Sequence, residues 1–405
     1  MSQEIKIRKL NTEQERFQAE RLLATSFLHD WNEKEAQEAA RKPNGDVFAA
    51  FGENENMISA TCVLQRASTF EGKVVSCPEF HMIGTLPESR GAGAVRTLLG
   101  SILREHASKG ELFAVLIPFS FAFYRKYGFE VASEILAQEA GIEQFASFRQ
   151  EFEAEQILSQ KDVDEARQLY TDFMAKYNLA DLRSEEDWKY RGSGEFGERS
   201  WEYADKTHYS YLFRDGNGKP AAYFTFAFTH GADGPFTGTM RVTELIFNSP
   251  EALCSVFGFF YGMRAKITDV SLELPRDVDL SLLLPECDSV KRRLNGYFMA
   301  RILNVDKVLA ALRQPKGEGK YSIHVVDRFL LENTGTYDVS YRDGRTMEIT
   351  RGTESADLDV TVETLCQMAV GLSDLGAALY REGTILRSNR DVLEQVFVRK
   401  PLFLR

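Results

Sequence analysis

The chain has 405 residues, 43% of them hydrophobic, and a net charge of −11. That length calls for two or three domains, and no apolar run reaches the roughly 18 residues that a membrane-crossing helix needs. The acidic balance speaks against nucleic acid as the main partner and mildly favours cationic small molecules, although plain solubility is the simpler account of it.

Five cysteines (Cys62, Cys77, Cys254, Cys287 and Cys366) are scattered, with no CxxC pair. Free buried thiols in a reducing cytoplasm are expected. The six histidines are isolated and no HExxH is present, so no metal is expected. The opening MSQEIKIRKLNTEQERF lacks the apolar core of a secretory leader.

Taken in order, Ile5 and Ile7 alternate with charged residues as in a strand, and Glu13 to Phe27 carries a helical period. Val47 to Phe51 and Ser59 to Gln65 read as neighbouring strands around a GENEN turn. Phe80 to Leu86 is a strand, Val95 to Ser108 an amphipathic helix, and Leu112 to Ile117 a buried strand. A short helix then ends at Gly128. Strand, helix, strand, helix predicts an α/β layer with parallel pairing at its centre.

Phe145 to Glu155 reads as a polar helical connector. After it come strand Gln156 to Leu158 and helix Val163 to Tyr177, then a hairpin from His208 to Thr229 that turns at Asp215-Gly216-Asn217-Gly218. Strand Val242 to Phe247, helix Pro250 to Lys266 and strand Asp269 to Leu274 repeat the order of Phe80 to Ile117, as a diverged internal copy. The copy has an ordinary helix start at Asn248-Ser249-Pro250 in place of a glycine loop. From about Asp288 onward a helix near Val305 to Leu312, three strands and further helices read as a small α+β domain. The expected domains are 1–150, 151–287 and 288–405.

The chemistry is concentrated in FHMIGTLPESRGAGAVRTLLGSILREH. A strand runs into Pro87, and Arg90, Gly91, Ala92, Gly93, Ala94 and Val95 then open a helix. Small residues let a backbone approach a ligand closely. Free N–H groups at a helix start, reinforced by the helix dipole, suit a phosphate or pyrophosphate, and Arg90 can add charge-assisted contacts. The spacing is neither GxxxxGK[ST] nor a full GxGxxG. A glycine-rich turn without a ligand would account for this loop alone. A second feature follows about 30 residues on: LFAVLIPFSFAFYRKYGFEVA, a strand, a break at Pro118 and a short helix with Phe123-Tyr124 and Tyr127-Gly128-Phe129.

Together the two features resemble the GNAT acetyltransferases, whose R/Q-x-x-G-x-G/A loop binds the coenzyme A pyrophosphate and whose FYxxxGF helix follows the next strand. Arg90 and Gly93 match, and Val95 stands where the last small residue would be. The whole-chain plan resembles the Eis family: a complete GNAT domain, a degenerate copy, and a third domain similar to sterol carrier proteins. That resemblance implies tandem GNAT folds with mixed sheets followed by an α+β domain.

By the same resemblance the backbone of Ile83, Gly84 and Thr85, the loop from Gly91 to Arg96, and Phe119 with Ser120 hold acetyl-CoA. Tyr124 is the implied general acid, and the terminal carboxylate of Arg405 the implied general base. The end PLFLR is apolar up to its last residue, which suits a buried terminus, yet the Arg405 side chain puts a cation beside the proposed base. The resemblance further implies an acceptor that is a small-molecule or lysine amine, and a homo-oligomer, typically a hexamer. Asp30, Glu33 and Glu35 could line an amine pocket or form a solvated helix face. The competing reading is a lipid- or partner-binding module without acetyl transfer, which would have no need of a phosphate loop.

Overall fold

The structure, a computed structural model, describes residues 5–53, 55–185, 187–188, 208–231, 234–352 and 355–403. It divides into two compact units, Met1–Ala132 with Tyr297–Lys400, and Ser133–Gly296 with Pro401–Arg405.

The first unit begins with β1 (Lys6–Lys9), α1 (Glu13–Phe27) and α2 (Glu33–Arg41). Thr12 and Glu15 form a capping box that fixes the start of α1. The antiparallel strands β2 (Asp46–Phe51), β3 (Met57–Phe70) and β4 (Lys73–Thr85) follow. Next come α3 (Ala94–Ser108), β5 (Phe113–Leu116), α4 (Phe121–Arg125) and the two-residue β6 (Glu130–Val131). The apolar stripe of α3 buries Leu98, Leu99, Ile102 and Leu103 against Phe80, Leu116 and Phe129. On the other face of the sheet, Ala19, Leu22 and Leu23 of α1 pack on Val47, Ala49 and Ala60.

The second unit holds β7 (Ile135–Gly141), β8 (Glu153–Gln156), α5 (Gln160–Met174), β9 (Asp181–Leu182), β10 (His208–Arg214), β11 (Pro220–Gly231), β12 (Gly234–Phe247), α6 (Pro250–Gly262), β13 (Ile267–Pro275) and β14 (Lys291–Asn295). Its sheet runs β14-β7-β13-β12-β11-β10-β8, parallel at β12–β13. The hairpin turns where expected, Asp215 accepting from the N–H groups of Asn217 and Lys219 at 2.9 Å each.

The chain then returns to the first unit with β15 (Met299–Ile302), which pairs with β5 and β6, so the first sheet runs β1-β2-β3-β4-β5-β15-β6. A further sheet, ordered β18-β17-β16-β19-β20, comprises β16 (Glu318–Val326), β17 (Gly335–Arg342), β18 (Arg345–Gly352), β19 (Leu358–Thr361) and β20 (Ile385–Leu386). With it go α7 (Val305–Ala311), α8 (Val362–Val370), α9 (Leu375–Ala378) and α10 (Arg390–Val396).

Four expectations change. The first boundary falls at Ala132 and not at residue 150, because β7 belongs to the second sheet. The third begins beyond residue 288, since β14 pairs with β7 and β15 completes the first sheet. Phe145 to Glu155 is no polar helix. Phe145 and Phe148 pack on Phe257, and the Ser255 hydroxyl accepts from the N–H groups of Glu151 (3.1 Å) and Phe152 (2.8 Å). Apolar anchors and side-chain acceptors override its helical composition here. No disulfide joins any of the five cysteines, but Cys254 and Cys287 are exposed where burial was expected.

Candidate active site

β4 and β5 are parallel neighbours for two residue pairs only, Glu79 with Val115 and Phe80 with Leu116. Beyond Phe80, β4 continues to Thr85 bonded to β3 alone among the described residues, with Cys62 opposite His81 and Ala60 opposite Gly84. A bulge between Ala60 and Cys62, with Met82 at φ 50°, redirects the strand at this point. Ile83 to Thr85 therefore offer backbone N–H and C=O groups along the side where β5 has diverged. Such an edge takes an extended, amide-bearing arm as a further strand would.

The copy in the second unit shows what the divergence requires. There β12 and β13 stay paired over five positions, from Gly238–Ile267 to Val242–Leu272. Its helix α6 is capped by the Ser249 hydroxyl, which accepts from the Ala252 N–H at 3.2 Å. In the first unit the helix start carries no side-chain cap. The first intrahelical bond at that end is Thr97 N–H to Gly93 O, 3.0 Å, so the N–H groups just before it lack helical partners. Gly91 and Gly93 sit at φ 86° and 85°, and a Cβ at either would meet nothing within 4 Å. Their backbone turns left-handed, as glycine permits at little cost, and both residues are exposed.

An open, uncapped helix start with small exposed residues fits a pyrophosphate. Arg90 is exposed, its guanidinium 3.4 Å from the Ser26 carbonyl oxygen, and Arg96 lies over the Phe329 ring at 5.2 Å. Ala92 is exposed, Ala94 buried and Val95 half-buried. Val95 departs from the family pattern only in its side chain, and its N–H is unaffected.

Tyr124 lies in α4, which Ser120 caps by accepting from Phe123 N–H at 3.3 Å. Its ring makes edge contacts with Phe119 (5.5 Å), Phe123 (5.2 Å) and Phe129 (6.2 Å). Only 4% of the residue is exposed. Burial, with a smaller contribution from Tyr127, pushes its pKa up to about 12. Phe119 is 71% exposed, as suits a pocket rim. Loop, diverged strand edge and Tyr124 thus gather in one unit.

Arg405 lies outside the described residues. The chain leading to it is fixed within the second unit. Asn178 N–H donates to Pro401 O at 2.8 Å, Phe403 N–H donates to Asn178 O at 3.3 Å, and the Phe403 ring packs on Tyr177 at 5.7 Å. The expected burial of the apolar end holds as far as Phe403, which is 3% exposed.

Asp30, Glu33 and Glu35 are exposed, and two of them serve local structure. Glu35 accepts from the Asn32 side chain at 2.7 Å and Glu33 from Gln37 at 3.2 Å. Among the described residues no group of three or more His, Cys, Asp and Glu side chains could hold a metal, and no helix is long and apolar enough to cross a membrane.

Sequence reasoning missed the ionic groups behind α4. The Arg301 guanidinium, wholly buried, donates to the Tyr127 carbonyl and pairs with Asp327 at 2.5 Å. Gly128 has φ +79°, and a Cβ there would overlap that guanidinium at 1.7 Å. Glu130 is pinched between Arg125 and Arg381. The only sequence signal for these was charge within otherwise apolar stretches such as FMARILNV.

Residues 6–132 match an acetyltransferase (GNAT) domain family, 182–302 a second acetyltransferase (GNAT) domain family, and 305–404 the sterol carrier protein domain family. The chain thus belongs to the GNAT N-acetyltransferases. Within them it has the Eis-like arrangement of two GNAT domains followed by a sterol carrier protein domain. It is similar to a GCN5-related N-acetyltransferase from Anabaena variabilis, at 22% identity over 99% of both chains with a TM-score of 0.81. A conserved protein of Enterococcus faecalis described as a probable N-acyltransferase shares 19% identity over 99% of both chains, TM-score 0.84. Eis1 from Mycobacterium abscessus shares 18% over 99% of this chain and 100% of that one, TM-score 0.80. At such identities what is shared is the fold. No curated protein matches the chain.

Proposed function

We propose that this protein transfers the acetyl group of acetyl-CoA directly to a primary amine in a ternary complex. The single observation that carries the reading is the pairing of an uncapped, glycine-opened helix start with the diverged β4 edge, beside a buried tyrosine. Ile83, Gly84 and Thr85 would bind the pantetheine arm, Gly91 to Arg96 the pyrophosphate with help from Arg90, and Phe119 and Ser120 the region near the thioester. The amine nitrogen attacks the thioester carbonyl, the C–N bond forms and the C–S bond breaks. One proton leaves nitrogen and one reaches sulfur. Tyr124 serves the sulfur side as general acid. The negative charge of the chain favours cationic acceptors such as aminoglycosides, polyamines or lysine side chains.

The test is titration calorimetry with acetyl-CoA, followed by an amine panel read by thiol release. Saturable binding and turnover on at least one amine are expected. Absence of binding would end the proposal.

For the base we infer the terminal carboxylate of Arg405. The reading rests on the family resemblance and on the apolar run PLFLR, of which Pro401 and Phe403 bond to the Asn178 backbone. A few residues appended after Arg405 should lower kcat at least about tenfold while acetyl-CoA affinity holds. A fully active tagged enzyme would remove Arg405 from the mechanism. The family resemblance further implies a hexamer, and the mass in solution by light scattering checks its assembly.

A further inference from the structure

α4 has five residues, little more than one turn. So short a helix has no stability of its own, and its tertiary contacts must hold it. On one side those contacts are the aromatic rings around Tyr124. The other side faces a cleft of about 390 Å³ bordered by Arg125, Glu130, Thr364 and Arg381, so charge and not apolar packing fixes it.

The fixing group is Glu130, whose side chain is 1% exposed. Arg125, the residue after Tyr124, grips both carboxylate oxygens: its Nε donates at 3.1 and 3.0 Å and Nη2 at 2.8 Å. From the sterol-carrier-like part, Arg381 Nη2 donates to the second oxygen at 2.7 Å. The rest of the Arg381 fork is held too, Nε by Thr364 Oγ1 at 3.0 Å and Nη1 by Gln367 Oε1 at 2.9 Å. Gln367 in turn donates to the Val131 carbonyl at 3.1 Å. One arginine already neutralises Glu130. The second adds direction, because a carboxylate held at both oxygens by two anchored guanidiniums cannot rotate.

We propose that Glu130 and Arg381 are positioning residues for Tyr124, Arg381 acting through Glu130 and Arg125 to hold the phenol in register with the leaving sulfur. On this view the third domain takes part in acetyl transfer without touching substrate. The inference rests on the assignment of Tyr124 as the acid. Displacing a reacting group by about 1 Å can cost up to ~10²-fold in rate.

The test is a double-mutant cycle in the full-length enzyme, read as kcat and KM for acetyl-CoA well below the melting temperature. Arg381→Met should lower kcat about tenfold with KM changed less than about twofold. In the Tyr124→Phe background the same change should cost nothing further. Arg381→Lys should recover part of the loss, and it carries the same comparison if Arg381→Met does not fold. Equal losses in both backgrounds, or no loss, would overturn the proposal. Should the parent enzyme turn over no amine, the functional reading fails instead. The positioning is then judged by ¹⁹F NMR of 3-fluorotyrosine placed at position 124. A shifted or broadened resonance in Arg381→Lys supports it, and an unchanged one refutes it.

Discussion

Tyr124→Phe slows acetyl transfer by about 10²-fold or more while leaving acetyl-CoA affinity within about twofold. The substitution removes one hydroxyl from a ring that is already packed, so the Phe119, Phe123 and Phe129 contacts persist. The coenzyme contacts proposed for the loop and the β4 edge come from backbone groups and Arg90, none of which the substitution touches. On the proposed role of Tyr124, what is lost is hydrogen-bond donation to sulfur as the thiolate charge develops. That charge exists only along the reaction path, so the loss falls on kcat. Steady-state kinetics with the best amine, beside calorimetry with acetyl-CoA, separate the two effects. An unchanged kcat would assign the ring to packing alone.

The same residue constrains the pH profile. With its pKa near 12, the phenol keeps its proton throughout the neutral and moderately alkaline range. A free thiol ionises at about 8.5, so a complete proton transfer from this phenol to the thiolate runs uphill. On the proposed mechanism, the proton that finally resides on sulfur therefore balances the one lost by the attacking amine nitrogen as the amide forms, with Tyr124 relaying or stabilising between them. The profile should show no loss assignable to Tyr124 below about pH 11. For stability the sign is the same. The folded pKa lies above the usual ~10 of a tyrosine, so the contribution is intact below that value and is lost as pH rises toward 12.

Much of this site was legible in the chain because its signals are local. Gly91 and Gly93 stand two positions apart in a strand-to-helix turn, and their positive φ is a property of those residues. Ser249-Pro250 announced the capped helix of the copy in the same way. The β4–β5 divergence was not legible. It depends on where pairing stops, and two strands of suitable composition do not reveal that. Nor were the places of β7 in the second sheet and of β15 in the first, each set by pairings more than 100 residues apart in sequence. The same distance hid Arg301, which meets Tyr127 across 174 positions, and Arg381, which meets Glu130 across 251. Taken alone, each is an arginine near an apolar run, a pattern that ordinarily marks a surface residue.

Asp327→Ala should be the most damaging single substitution for the stability of the first unit. The Asp327 carboxylate takes four bonds: from Arg301 at 2.5 Å, from Asn333 Nδ2 at 3.1 Å, and from the N–H groups of Phe329 and Leu330 at 3.0 and 2.9 Å. Both members of the ion pair are fully buried. Replacing the pair with apolar residues could be neutral, but removing one partner strands a charge in the interior, at about 3–5 kcal/mol. A unit of this size loses roughly 2–4 °C of melting temperature per kcal/mol, so a fall of about 10 °C is expected by scanning calorimetry. The effect extends to catalysis because the stranded guanidinium is the donor that holds the Tyr127 carbonyl, at the end of the turn carrying Tyr124. Loss of acetyl transfer should therefore set in below the new melting temperature, as α4 loosens before the sheet does. A shift under about 2 °C would mean that Arg301 finds another counter-charge, and the buried pair would then be dispensable to the fold.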